Sequence, residues 1–205
     1  MSEYNFTQDW FHWAPEVWEQ LVPMLPSRKA FLEIGSFEGR STVWTIENMM
    51  EDGGFIDCLD TWEGGAEHVN GEMSGAEMRF DQNTKLLVEK YHGGGSHAKN
   101  RRVYKYKDLS SKSLARIYGQ LSPPSYDFIY IDGSHRAKDV MTDACLAWPL
   151  LKVGGFMVFD DYSWAPEPRD ILYRPKIAVD AFTTMFAEEA QVVFSKYQLI
   201  VRKEK

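Results

Sequence analysis

FLEIGSFEGRS, residues 31–41, joins three local patterns in one short run. Residues 29–34 read as a strand, a tight glycine turn follows, and a helix starts at about Gly39. Over residues 40–50 the apolar side chains Val43, Trp44, Ile46, Met49 and Met50 recur at helical spacing. Gly35 lets the backbone turn sharply and lets a ligand approach it, because no Cβ stands in the way. A strand, a glycine turn and a helix N-terminus form a nucleotide-type crevice in open α/β sheets. Charge then narrows the ligand. Dinucleotide sites use G-x-G-x-x-G and seat a pyrophosphate on the helix N-terminus. Here the pattern is E-x-G-x-x-x-G-x-S, and the turn carries Glu33 and Glu38. Carboxylates there repel phosphate and suit a ligand with cationic groups, such as an ammonium and a sulfonium.

The chain has 205 residues, 44% of them hydrophobic, enough for one domain with a full core and a small appendage. A net charge of -7 without a long basic run argues against nucleic acid as a partner. Cys58 and Cys145 lack zinc-type spacing and read as buried, reduced thiols of a cytoplasmic protein. The acidic, aromatic start is unlike a secretory signal, and no apolar run approaches membrane-spanning length, so no membrane association is expected.

Residues 1–28 form an N-terminal aromatic segment with Trp10, Phe11, Trp13 and Trp18; Pro15 suits the first turn of a short helix ending near Val22. We expect that helix to pack on the sheet edge, with a flap over the pocket as the alternative. Residues 29–205 form the main domain. After Gly53 and Gly54, residues 55–59 make a short strand ending at Asp60, placed to accept hydrogen bonds from a ribose. Residues 61–75 hold four glycines and read as a functional or mobile loop from which Trp62, Glu63 and His68 could reach the crevice. A helix over 76–92 follows; His92 and His97 flank its glycine-rich end as solvated residues. Residues 102–107 alternate as a partly exposed strand, Asp108 follows, and Ser110 or Ser111 caps a helix to about Tyr118.

YDFIYI, residues 126–131, is the strongest buried-strand signal and ends in Asp132, Gly133, Ser134 and His135. A helix over 137–151 leads through a turn at Gly154 and Gly155 into a second buried strand, 156–159, ending in Asp160 and Asp161. Strand–helix alternation implies a parallel sheet, so both polar clusters meet at the carboxyl edge where such sheets bind ligands. Residues 163–175 read as a proline-rich loop beside the pocket, and 177–187 as a helix. Strands over 190–194 and 197–202, two residues apart, require an antiparallel hairpin. Three carboxylates, Asp132, Asp160 and Asp161, suit a hard divalent cation, and His135 suits a proton acceptor near neutral pH.

The stretches FLEIGSFEGRST, LDTWEGGAEH, YDFIYIDGSHRAKDVMTDACLAW and LLKVGGFMVFDDY together resemble class I S-adenosylmethionine-dependent methyltransferases, in the family labelled methyltransferase domain 24. The last two also resemble metal-dependent macrolide-sugar O-methyltransferases. The resemblance implies a Rossmann-like α/β fold: a mostly parallel seven-stranded sheet with a C-terminal antiparallel hairpin and helices on both faces. It implies S-adenosylmethionine held by Glu33, Gly35, Ser36, Phe37, Gly39, Ser41, Asp60, Thr61 and Asp132, with Asp108 near the adenine amino group and Leu109 near the ring. It implies magnesium or manganese on Asp132, Asp160 and Asp161, with His135 as the base. The expected reaction is metal-assisted O-methylation of a small-molecule acceptor. The alternatives are transfer to another atom, hydrolase or lyase chemistry on the cofactor, or a non-catalytic binding module; homo-oligomerisation stays open. The chain is shorter than the macrolide-sugar enzymes, and its N-terminal segment matches no motif of theirs.

Overall fold

A computed structural model describes residues 4–65, 71, 73–92, 100–120, 125–165 and 170–205. The strands are β1 (Ala30–Ile34), β2 (Phe55–Asp60), β3 (Arg102–Lys107), β4 (Tyr126–Ile131), β5 (Leu151–Phe159), β6 (Ala190–Ser195) and β7 (Leu199–Lys203). They form one seven-stranded sheet in the order β3-β2-β1-β4-β5-β7-β6. The first five neighbours run parallel, while β7 is antiparallel to both β5 and β6. The fold class read from the sequence therefore holds, terminal hairpin included.

Among the described residues six α-helices flank the sheet: α1 (Ala14–Leu21), α2 (Arg40–Trp44), α3 (Ala76–His92), α4 (Ser110–Gln120), α5 (Ala137–Ala147) and α6 (Pro175–Met185). Side chains alternate across a strand, so each central strand feeds two cores. Leu32, Ile129 and Met157 share one core with α4, α5 and α6, through Leu114, Val140 and Phe182. Phe31, Phe128 and Val158 share the other with α1, α2 and α3, through Trp18, Val43 and Phe80. Burial on both faces explains why β1 and β4 are apolar at every position but Glu33 and Asp127, which are themselves buried. Each fully buried Phe or Leu among them stabilises the fold by roughly 1.5–3 kcal/mol.

Several boundaries differ from the sequence reading. The helix expected over 40–50 is regular only through Trp44 and then widens into a π turn, Thr45–Met49, closed by Met50 N donating to Thr45 O. That extra residue per turn brings Ile46, Met49 and Met50 all into the core. Gly154 and Gly155 lie inside β5 rather than before it. Gly154 has φ +81°, and a Cβ at Gly155 would sit 2.8 Å from the Asp127 carbonyl oxygen. The pair marks a register shift against β4, between Tyr126 and Phe128. The helix expected to reach residue 151 ends at Ala147, and a 3₁₀ turn spans Trp148–Leu150 around Pro149, which has no N–H to continue the ladder.

The N-terminal helix does not sit on the sheet edge. Trp18 packs on Phe128 and Tyr130 of the central strand β4, at 4.9 and 4.7 Å between ring centroids. Cys58 is buried as expected, but Cys145 faces solvent from the outer side of α5. Among the described residues no helix is long and apolar enough to cross a membrane. His68, His97 and the side chain of His92 lie outside the described residues.

Candidate functional site

The chain runs outward from β1 to β2 and β3, then returns to lay β4 on the other side of β1. Parallel pairing puts the ends of β1, β2, β3, β4 and β5 at one edge, where Asp60 ends β2 and Gly35, Asp108, Asp132 and Asp160 follow the other four. The order reverses between β1 and β4, which is where open sheets part to admit ligands. Backbone contact is tight at this seam. Asp132 N donates to Ile34 O at 2.8 Å, and a Cβ on Gly35 would lie 1.9 Å from Asp132 O.

On the β1–β2 side, Asp60 organises the glycine turn. Its Oδ2 accepts the backbone N–H groups of Ser36 and Phe37 at 2.9 and 2.8 Å, and its Oδ1 accepts Trp62 N at 2.7 Å. This leaves a lone pair on Oδ1. Phe37 and Trp62 both carry positive φ, +46° and +55°, and the Trp62 indole N–H holds Phe37 O at 2.7 Å. Trp62 is buried against Phe80, so it supports the turn from below.

The two turn carboxylates are engaged within the protein. Glu33 is buried and accepts the hydroxyls of Ser41 and Thr42, and burial pushes its pKa up against those bonds. Glu38 accepts Thr7 N and Thr7 Oγ1, each at 2.6 Å, and pairs with Arg79 of α3. The turn therefore presents its backbone to a ligand rather than two uncommitted acids. Asp108 is likewise tied to Leu109 N and to the Arg116 and Lys112 side chains, which hold its carboxyl below the usual range.

On the β4–β5 side, one ligand atom each from Asp132, His135 and Asp161 lie within 4.8 Å of one another. His135 Nε2 is 2.7 Å from Asp161 Oδ2, and the imidazole meets Trp164 edge-on at 4.3 Å. Asp161 sits at φ +53°, a strained conformation that a non-glycine residue keeps only where its surroundings fix it. Asp160 stands behind this group: it accepts Tyr130 Oη, Gln198 Nε2 and Asp161 N. The Tyr130 hydroxyl also reaches Asp132 Oδ2 at 2.9 Å. Burial first, then the charges of Asp160 and Asp161, pushes Asp132 well above the usual carboxylate range. Burial and the charge of Asp161 push Asp160 up to about 6. The expected metal set thus differs from the geometric cluster, which takes His135 in place of Asp160.

Both halves open into one cavity of about 930 Å³. Of the residues expected at the site, Gly35, Ser36, Phe37, Ser41, Asp60, Thr61, Asp108, Leu109, Asp132, His135, Asp160 and Asp161 line it. Glu33 and Gly39 do not. Gly39 instead caps α2 at φ +80°, and Glu33 lies beneath the floor.

Gln8 through Trp13 supply a wall, so the N-terminal segment, for which a flap over the pocket was the alternative reading, is both core and pocket. Other residues at this edge were not read from the sequence. Tyr130 falls two residues before Asp132 on β4, and strand parity alone puts both on one side. Tyr197 and Gln198 precede β7, whose antiparallel pairing of Leu199 with Phe159 fixes that turn at the same edge. Asp143 of α5 borders the cavity, accepts Ser110 Oγ at 2.6 Å and is raised to about 7 by burial. Its place three residues after Val140 and four before Ala147 puts it on the apolar face of α5, a signal the sequence reading passed over.

A family model described as a methyltransferase domain matches residues 32–162. Uncharacterized protein R132 of Acanthamoeba polyphaga mimivirus is 28% identical over 141 residues, 67% of this chain and 54% of that protein. The chain therefore spans about half the length of that relative. Among solved structures, an O-methyltransferase from Bacillus cereus in complex with SAH superposes with a TM-score of 0.62 at 17% identity, covering 98% of this chain and 84% of that one. The MycE methyltransferase of the mycinamycin biosynthetic pathway, solved with Mg, SAH and mycinamycin VI, has a TM-score of 0.57 at 15% identity, covering 98% and 51%. At such identities the likeness is one of fold.

Proposed function

The chain belongs to the methyltransferase domain family, and on that premise we propose that it methylates a hydroxyl oxygen of a small molecule, using S-adenosylmethionine and a divalent cation. One observation carries the reading: the glycine turn and the Asp132, His135 and Asp161 cluster face the same cavity and touch at the Gly35–Asp132 seam. The residues present fit both ligands. A cavity of about 930 Å³ is the size of a cofactor site. Two carboxylates in reach of one point suit magnesium or manganese, with the His135 imidazole beside them, and positive charge there would offset the neighbouring carboxylate charges that help raise Asp132.

S-adenosylmethionine supplies a methyl group on a good leaving group. The Gly35–Phe37 backbone and Asp60 would hold it, with Leu109 and Asp143 bordering the cavity farther along. A divalent cation held by Asp132 and Asp161, with Asp160 behind them, would supply charge that lowers the pKa of a nearby hydroxyl. His135 takes the hydroxyl proton, and the adjacent Asp161 carboxylate stabilises the imidazolium that forms. Trp13, Trp164 and Tyr197 wall that end, keep water out and orient the acceptor. The reading extends to a cytoplasmic setting, supported by the free thiols Cys58 and Cys145.

The test combines binding with turnover. SAH at 100 times its Kd should stabilise the protein by about 2.7 kcal/mol, and NAD should not. With isotope-labelled cofactor and a panel of hydroxylated small molecules, label should appear on oxygen. A chelator should stop transfer, and magnesium or manganese should restore it. Stabilisation by NAD alone would reject the cofactor. Full turnover in chelator would reject the cation, and label on nitrogen or carbon would reject the hydroxyl.

A further inference from the structure

Two tryptophans of the N-terminal segment end on the residues that hold the carboxylates. Trp18 and Gln198 are both fully buried, and the indole Nε1 donates to Gln198 Oε1 at 2.9 Å. An indole N–H can only donate. Gln198 must therefore turn its amide oxygen toward Trp18, which leaves Nε2 pointing the other way. There it donates to Asp160 Oδ2 at 2.9 Å. The same oxygen accepts the Tyr130 hydroxyl, which also reaches Asp132. The Trp18 ring meets Tyr130 edge-on, at 81° and 4.7 Å.

A second, parallel connection starts five residues earlier on the same segment. Trp13 meets Tyr197 edge-on at 5.2 Å, and the Tyr197 hydroxyl donates to Asp161 Oδ1 at 2.6 Å. Asp161 keeps its other oxygen for His135. One segment thus sets the donor direction at Asp160 and buttresses the donor at Asp161. Its attachment elsewhere is firm: Asn83 bonds both backbone groups of Asn5, and Glu38 takes two bonds from Thr7.

We propose that Trp13 and Trp18 are positioning residues for the carboxylate centre, acting through Tyr197 and Gln198, so that this segment sets its affinity for a divalent cation. The inference rests on the reading that the centre holds such a cation. Hydrogen bonds behind metal ligands commonly govern affinity, and their removal costs ~10–100-fold.

The probe is Mn²⁺ on the full chain, titrated by electron paramagnetic resonance, with SAH titrated in parallel by calorimetry. Trp18→Phe keeps a packed ring and removes the N–H. Gln198→Met keeps the length and removes the amide. Tyr197→Phe removes only a hydroxyl, at a partly exposed position. Each should weaken Mn²⁺ binding by ~10–100-fold while SAH affinity stays near wild type. Tyr126→Phe is the comparison for lost stability alone. It removes a buried hydroxyl bonded to Asp57 at the opposite end of β4, and should lower Tm without moving the Mn²⁺ affinity.

Folded Trp18→Phe and Gln198→Met proteins with wild-type Mn²⁺ affinity would overturn the proposal. If those two fail to fold, an unchanged affinity in Tyr197→Phe overturns it for the second connection. A wild type that binds SAH but not Mn²⁺ removes the cation and this inference together. A wild type that binds Mn²⁺ beside unaffected variants removes this inference alone.

Discussion

Replacing Asp143 with asparagine should make the protein more stable, and more so at higher pH. Asp143 is 3% exposed on α5, and burial raises its pKa to about 7; Ser110 lowers it and the Asp139 charge raises it further. An unfolded aspartate titrates near ~3.9. The folded-state pKa is the higher of the two, so the acid opposes folding once the unfolded chain ionises. The penalty is absent below about pH 4, grows as pH rises, and levels off above about pH 7. Linkage puts it at about 1–2 kcal/mol at pH 5 and about 4 kcal/mol at pH 8. The substituted amide would keep an oxygen to accept from Ser110 and carries no charge to bury. Urea unfolding of both proteins at pH 5 and pH 8 measures the difference directly, and subtraction cancels the other acids that titrate in this range. The expected gain for Asp143→Asn is about 4 kcal/mol at pH 8, shrinking by about 2–3 kcal/mol at pH 5. A variant no more stable than wild type at pH 8, or a gain that does not shrink toward pH 5, would refute the reasoning.

Arg79→Met should destabilise by about 3 kcal/mol, because the Glu38 side chain is 1% exposed and would lose its ion-pair partner, leaving the two Thr7 bonds. The second change Glu38→Gln should recover much of that loss, as a double-mutant cycle in urea would measure. Gly35→Ala should yield little folded protein by circular dichroism, since its Cβ would meet the Asp132 carbonyl carbon and oxygen at 2.4 and 1.9 Å. Gly53→Ala, at a similar φ of +84° but with open space around it, should fold and lose only ~1–2 kcal/mol.

Strand order, sheet polarity and the edge where the acids gather were legible because they rest on period and topology. YDFIYI could only be a buried strand, and two strands separated by a short turn could only be antiparallel. What stayed hidden depends on partners far away in sequence. Glu33 and Glu38 looked like a charge selecting the ligand, yet each finds donors inside the protein, and Arg79 and Thr7 give no local sign of their role. Asp160 and Asp161 read as equivalent, but the positive φ of Asp161 swings the two side chains apart. Trp13 and Trp18 were visible as a cluster, though their targets, Tyr197 and Gln198, lie at the other end of the chain. The glycines at 154 and 155 mark a turn by composition, whereas both lie within β5, with Gly155 packed tightly on Asp127.

The Trp18–Gln198 bond joins residues 180 apart, and that separation orders events while the chain is being made. At ~5–20 residues per second of synthesis, Gln198 leaves the ribosome roughly 10–40 s after Trp18. Through that interval β1 to β5 can pair, while Asp160 lacks its amide donor and Asp161 lacks the Tyr197 hydroxyl. Closing so long a loop adds little entropy beyond a short one, since the cost grows only with the logarithm of length. Delay rather than energy separates the two stages. A nascent chain stalled within β6 would hold a formed glycine turn beside an unfinished acidic centre, completing one half of the cavity before the other.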